Sequence, residues 1–138
     1  MPGWAAKRLH DVPRVTDGGP CDPDWYPLQH HFGLSAFGAN VFVAREPGQE
    51  LIGEHDERQS GQQELYIVLL GAAEFTLNGE RVAAEEGTVV AVTDPSVKRR
   101  AVAVSAGTAM LALGASPTEP FVSTWQPSHF QDVPQAKS

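Results

Sequence analysis

GEHDERQSGQQELYIVLLG, residues 53–71, places one imidazole and several carboxylates, among them His55, Asp56, Glu57 and Glu64, just ahead of an apolar run that a glycine stops. From Glu64 to Leu70 the residues have the β-branched and aromatic character of a strand. Successive strand side chains point to opposite faces, so an inward Glu64 brings Tyr66, Val68 and Leu70 with it and leaves Leu65, Ile67 and Leu69 for the other face. Both sets are apolar, and the strand is expected to be covered on both sides. Imidazole and carboxylate groups converging at the mouth of a β-barrel are what a divalent metal site requires.

Working outward, short strands separated by turn residues continue in both directions. Upstream, Leu34–Ala44 reads as a strand in which Gly38 and Asn40 mark a bulge or a close approach, Pro47-Gly48 is a turn, and Leu51-Ile52 begins the next strand. Downstream, Ala72–Leu77 and Glu80–Ala84 flank Asn78-Gly79, a pair suited to a type I′ hairpin because both central positions need positive φ. Thr88–Val92 follows the Glu85-Glu86-Gly87 turn. Val97–Val104 and Thr108–Leu113 are expected to pair across Ser105-Ala106-Gly107. About eight short strands at regular spacing indicate a sandwich or closed barrel.

The termini differ from this body. Residues 1–33 carry Pro2, Pro13, Pro20, Pro23 and Pro27, which excludes a continuous helix or central strand. Residues 117–138 carry Pro117, Pro120, Pro127 and Pro134. They read as two arms around a barrel of residues 34–116. Trp4, Leu9, Val12, Trp25 and Tyr26 in the first, and Phe121, Trp125 and Phe130 in the second, are expected to anchor them to the barrel or to a neighbouring subunit. Leu28–Gly33 suits one helical turn, with His30 and His31 at the surface or an interface.

At 138 residues the chain suits one domain. A formal charge of −7 argues against nucleic acid and anionic membrane as partners. The single cysteine, Cys21, has no internal disulfide partner, and there is neither a signal-like apolar core nor a membrane-length run, so a soluble cytoplasmic protein is expected.

From about Ala44 to Ala115 the chain resembles the conserved barrel of the cupin superfamily. The first cupin motif runs Gly, five residues, His-x-His, three or four residues, Glu, six residues, Gly. Glu64 and Gly71 keep the last spacing, His55 stands at the first His, and Glu57 occupies the second. Arg58–Gln63 lengthens the gap before Glu64. The second motif begins at Gly87, passes Val92 and the turn at Pro95, and calls for a His near position 98, where Lys98 stands. The resemblance implies an all-β, single-domain cupin, a double-stranded β-helix or jelly roll, whose usual metal site takes three His and one Glu. Here His55, Glu57 and Glu64 are the candidate ligands for a divalent metal, and Gln62 and Gln63 offer at most a weak carbonyl donor. Known relatives include metal-dependent dioxygenases, isomerases, decarboxylases and cyclases.

Strand phase decides what faces these groups. An inward Lys98 brings Arg100, Val102 and Val104; the opposite phase brings Val97, Arg99, Ala101 and Ala103. The first phase buries the larger side chains and is the one expected. Lys98 or Arg100 then stands opposite Glu57 or Glu64, as a salt-bridged replacement for metal or as the grip on a carboxylate ligand. The expected function is small-molecule binding in a pocket lined by His55, Glu57, Glu64, Tyr66, Lys98 and Arg100, with no cofactor or a divalent metal. Two alternatives remain open: a metal-dependent enzyme using His55 and Glu64, and a non-catalytic structural or regulatory subunit. A homodimer joined through the arms is expected, because all three tryptophans lie in them.

Overall fold

The computed structural model describes residues 3–136. In chain order its strands are β1 (Asp24–Tyr26), β2 (Gly38–Val43), β3 (Glu50–His55), β4 (Gln63–Leu70), β5 (Ala72–Leu77), β6 (Glu80–Glu85), β7 (Val89–Val92), β8 (Arg99–Ala103) and β9 (Ala109–Ala115). One short helix, α1 (Leu28–Phe32), follows β1. The strands form two antiparallel sheets, ordered β1-β2-β9-β4-β7 and β3-β8-β5-β6. From β2 onward the chain changes sheet at every connection except β5 to β6, which is the winding of a jelly roll. Phe42, Leu51, Ile52, Tyr66, Val68, Phe75, Val90 and Met110 fill the space between the sheets.

The turns follow their residues. Asn78 and Gly79 both have positive φ, 49° and 83°, and close the β5–β6 hairpin with Leu77 opposite Glu80. At Gly71, with φ 75°, an added Cβ would lie 2.5 Å from Thr108 Oγ1 and 2.9 Å from Thr108 Cα, so this corner admits no side chain. Gly38 is a close approach as well, since a Cβ there would meet Phe121 Cε1 at 3.1 Å.

Three expectations about the strands are corrected. Ser105-Ala106-Gly107 does not join a hairpin: β8 pairs with β3 and β5, and β9 with β2 and β4. Both strands are internal to different sheets, and the turn carries the chain between layers. Leu70 does not share the inward face of Tyr66 and Val68; the β4–β9 register shifts between Val68 and Leu70, and Leu70 is 58% exposed. Strand β8 takes the opposite phase, with Arg99, Ala101 and Ala103 inward and Val104 exposed. Ala101, opposite Phe75, and Ala103, opposite Ala73, are fully buried in the close-packed interior, where small side chains are accommodated.

Both arms pack on the body. Strand β1 is an edge strand, the place a proline-flanked segment can occupy. Trp25 packs against Trp125 in a tilted pair at a centroid distance of 4.5 Å and contacts Phe42 and Phe130. His31 is fully buried rather than superficial: its Nδ1 pairs with the Pro134 carbonyl at 2.5 Å and its Nε2 with Lys7 Nζ at 3.0 Å. His30 stacks on Phe130 and pairs with the Val133 carbonyl. The two histidines thus fasten the second arm. Val12 is buried, whereas Trp4 is exposed, as is the free thiol of Cys21. Among the described residues no helix is long and apolar enough to cross a membrane.

Candidate functional site

Two rows of inward residues across the five-stranded sheet shape a cavity. Gly38, Gly114 and Glu64 form one row, and Asn40, Ala112 and Tyr66 the next. The central strand contributes only Gly and Ala, so open volume remains between functional groups two strand spacings apart, about 10 Å. The resulting cavity measures about 560 Å³. Trp25 and Phe42 wall one side, with the Trp25 indole N–H donating to Asn40 Oδ1 at 2.7 Å. Phe121, Trp125 and His129 of the second arm contribute to the same cavity. His129 Nδ1 reaches Asp17 Oδ2 at 2.7 Å, joining the two arms beside the opening.

At the other end lies the polar cluster. His55 ends β3 and sits opposite Arg99 on β8, while Glu64 and Tyr66 approach from β4 in the facing sheet. Glu64 Oε1 accepts hydrogen bonds at 2.5 Å from both Tyr66 OH and Arg99 Nη1, and His55 Nε2 lies 3.7 Å from it. The remaining guanidinium contacts, from Nε and Nη2, go to the Val97 carbonyl. Arg99 is fully buried and Glu64 largely so, and their ion pair ties one sheet to the other. The loop after His55 is held where the Glu57 amide donates to the Pro95 carbonyl and the Gly61 amide to the Glu57 carbonyl.

The neighbours determine the charge states. Burial alone would raise the Glu64 carboxyl, but His55, Tyr66 and Arg99 outweigh it and hold Glu64 below the usual carboxylate range. Burial, then the Glu64 charge, pushes the Tyr66 hydroxyl far up, so it remains a donor. Glu64 also raises His55, assisted by the Gly53 carbonyl that accepts from Nδ1 at 2.7 Å. Glu57 is raised by burial and by the charge on Glu64. The cluster therefore combines a fixed anion with two groups, His55 and Glu57, inclined to hold a proton. That combination suits proton transfer to or from a bound molecule.

The donor set is also compatible with a metal. One ligand atom from each of His55, Glu57 and Glu64 lies within 4.8 Å of the others. The Nδ1–Gly53 bond leaves Nε2 as the lone pair of a neutral His55, the usual arrangement of a metal-binding imidazole. Two carboxylates and an imidazole fit a divalent cation as three of its ligands. Arg99 brings a guanidinium where the resemblance calls for a fourth ligand.

His55, Glu57, Glu64 and Tyr66 come together as expected; Lys98 and Arg100 do not join them. The Lys98 side chain is exposed and its amide donates to Asn78 Oδ1, while Arg100 pairs with Glu50 at 2.6 Å on the outer surface. The cause is the β8 phase, which makes Arg99 the inward cation. Arg99 was legible as the middle of Lys98-Arg99-Arg100 but not as its inward member. Trp25, Asn40, Trp125 and His129 were absent from the expected site because they lie far from residues 53–71 in sequence and reach it through the arms and β2.

No family model matches the chain, and no curated protein matches it significantly. Solved structures do. A cupin protein from Bacteroides fragilis superposes with a TM-score of 0.65 at 18% identity, covering 90% of this chain and 93% of that one. A sugar phosphate isomerase from a cupin superfamily, from Silicibacter pomeroyi, gives 0.66 at 19% identity over 80% and 75% of the two chains. An RmlC-like cupin from Shewanella frigidimarina gives 0.60 at 16% identity over 81% and 91%. At these identities the likeness establishes a shared fold.

Proposed function

We propose that this chain, which has the cupin fold, binds a small organic molecule between the aromatic wall of its barrel and the His55–Glu57–Glu64 cluster. The observation that carries this reading is a single half-open cavity with an apolar wall and a few convergent polar groups at its end. Its volume, about 560 Å³, falls in the range of small-molecule sites, roughly 300–1,000 Å³. Tyr66 and Arg99 fix Glu64 by engaging one carboxylate oxygen, while Glu57 and His55 supply exchangeable protons beside it. The likeness to the isomerase from Silicibacter pomeroyi supports isomerisation as a reaction class to assay first.

The test is a ligand-observed NMR screen repeated on Gly114→Val. A Cβ at Gly114 would lie 2.9 Å from Gln62 Oε1 and 3.3 Å from Glu64 Cγ, so the larger side chain fills the cavity. Binders are expected to be lost in this variant, and in Ala112→Leu if the first does not fold. Binders that persist in a folded variant would place the ligand elsewhere and end the reading.

The spacing of the three metal-type donors favours a second reading, a divalent cation held by His55, Glu57 and Glu64. When bound, the ion would supply Lewis acidity. In this reading Mn²⁺ or Zn²⁺ raises the melting temperature, and Glu57→Gln removes the shift. Less than about a tenth of an equivalent retained after reconstitution would rule it out.

A further inference from the structure

The charges around the cavity point to the class of its ligand. Five carboxylates line it (Asp17, Asp22, Glu54, Glu57 and Glu64), and no lysine or arginine among the described residues does. Arg99, the cation nearest the cluster, is buried behind Glu64 with its donors turned to Glu64 and the Val97 carbonyl. Lys98 and Arg100 lie outside. Glu57 has a weak contact from Ser60 Oγ at 3.4 Å and, among the described residues, no lysine or arginine within ion-pair distance. Across the cavity stand the rings of Trp25, Phe42 and Trp125.

We propose that the ligand is a small organic cation, a protonated amine on an apolar or aromatic body. This rests on the cavity being the binding site. An ammonium group supplies what the cluster lacks: N–H donors for Glu57 and for the second oxygen of Glu64, in charge-assisted hydrogen bonds. The rings of Trp25, Phe42 and Trp125 across the cavity offer an apolar surface for the body that carries the ammonium. A carboxylate or phosphate placed there would be desolvated among like charges, and a neutral molecule would bring no charge to balance the carboxylates of the lining. The net charge of −7 adds long-range attraction for a cation. Even with His55 and His129 both protonated, carboxylates outnumber the histidines of the lining.

Three compounds with one aromatic ring and different charge test the sign: 2-phenylethylamine, 2-phenylethanol and phenylacetate. Each is titrated into the full chain at pH 7 while the indole N–H resonances of Trp25 and Trp125 are followed. The amine is expected to bind at least about tenfold more tightly than the alcohol, with phenylacetate weakest. Raising sodium chloride from 20 to 300 mM should narrow the amine-to-alcohol ratio, and Glu57→Gln should narrow it further. If Glu57→Gln does not fold, Glu54→Gln and the salt series make the same measurement. Phenylacetate binding best, or equal affinity for amine and alcohol, overturns the cation assignment while leaving the cavity reading intact. No response to any of the three also overturns it, whereas the cavity reading is decided separately by the Gly114→Val screen.

Discussion

Arg99 is the residue on which the site turns. Its guanidinium crosses from one sheet to a carboxylate on the other, and removing it would leave Glu64 largely buried with only His55, at 3.7 Å, to balance it. Arg99→Met should therefore cost about 3–5 kcal/mol at pH 7 by denaturant unfolding. Lys98→Ala and Arg100→Ala should each cost under about 1 kcal/mol, because their charges are exposed or lie in a surface pair. The Arg99→Met penalty should shrink at pH 4, where a Glu64 freed from its cation takes up a proton. Glu64 has its own pH signature. Its folded-state pKa is depressed below the ordinary 4.5, so its stabilisation is fully present above that value and is lost as pH falls through the lower folded value. Wild type and Glu64→Gln should thus converge in stability on acidification below about pH 4.5. His55 runs the other way: its pKa is raised, so its contribution is complete below 6.5 and disappears as pH rises through the folded value.

At the scale of single elements, strand existence was legible and strand partnership was not. Ala72–Leu77 is the strand expected, and its turn is the one Asn78-Gly79 demands, because hairpin geometry is local chemistry. Pairing is different. β8 and β9 are joined by three residues with turn composition, yet each takes both of its partners from elsewhere, since two internal strands offer no free edge to one another. The β8 phase had the same difficulty. Side-chain volume favoured valines inward, but Phe75, Tyr66 and Met110 already occupy that space and leave room only for alanine. Glycine substitution separates local from tertiary requirements. Gly79→Ala meets open space and should cost about 1–2 kcal/mol, the left-handed backbone term alone. Gly71→Ala adds a collision with Thr108 and should cost at least about 1 kcal/mol more. Equal values in thermal or urea unfolding would contradict the close approach at this corner.

Over the whole molecule, the arms complete the cavity. Trp25 from the first and Trp125 from the second contact each other inside one chain. Trp25 is thus engaged within one chain, while Trp4 and part of Trp125 stay exposed. Trp125→Ala should cost about 1–3 kcal/mol, since this ring is partly exposed, and should widen the cavity beside Trp25. Tryptophan emission should shift to the red as Trp25 meets water, and ligands found in the screen should weaken. An unchanged spectrum would mean that the second arm does not cover Trp25 in solution.

By itself the sequence determined the all-β class, the inward run of Glu64, Tyr66 and Val68, the type I′ turn, and the three donors His55, Glu57 and Glu64. Each of these depends on residues close together in the chain, through alternation, turn stereochemistry or motif spacing. Tertiary structure alone decided that Arg99 rather than Lys98 or Arg100 neutralises Glu64, that Gly114 and Ala112 leave the cavity open, and that both arms wall it. Those outcomes depend on volumes and charges brought together from strands and arms up to a hundred residues apart, and no local pattern records which of them will meet.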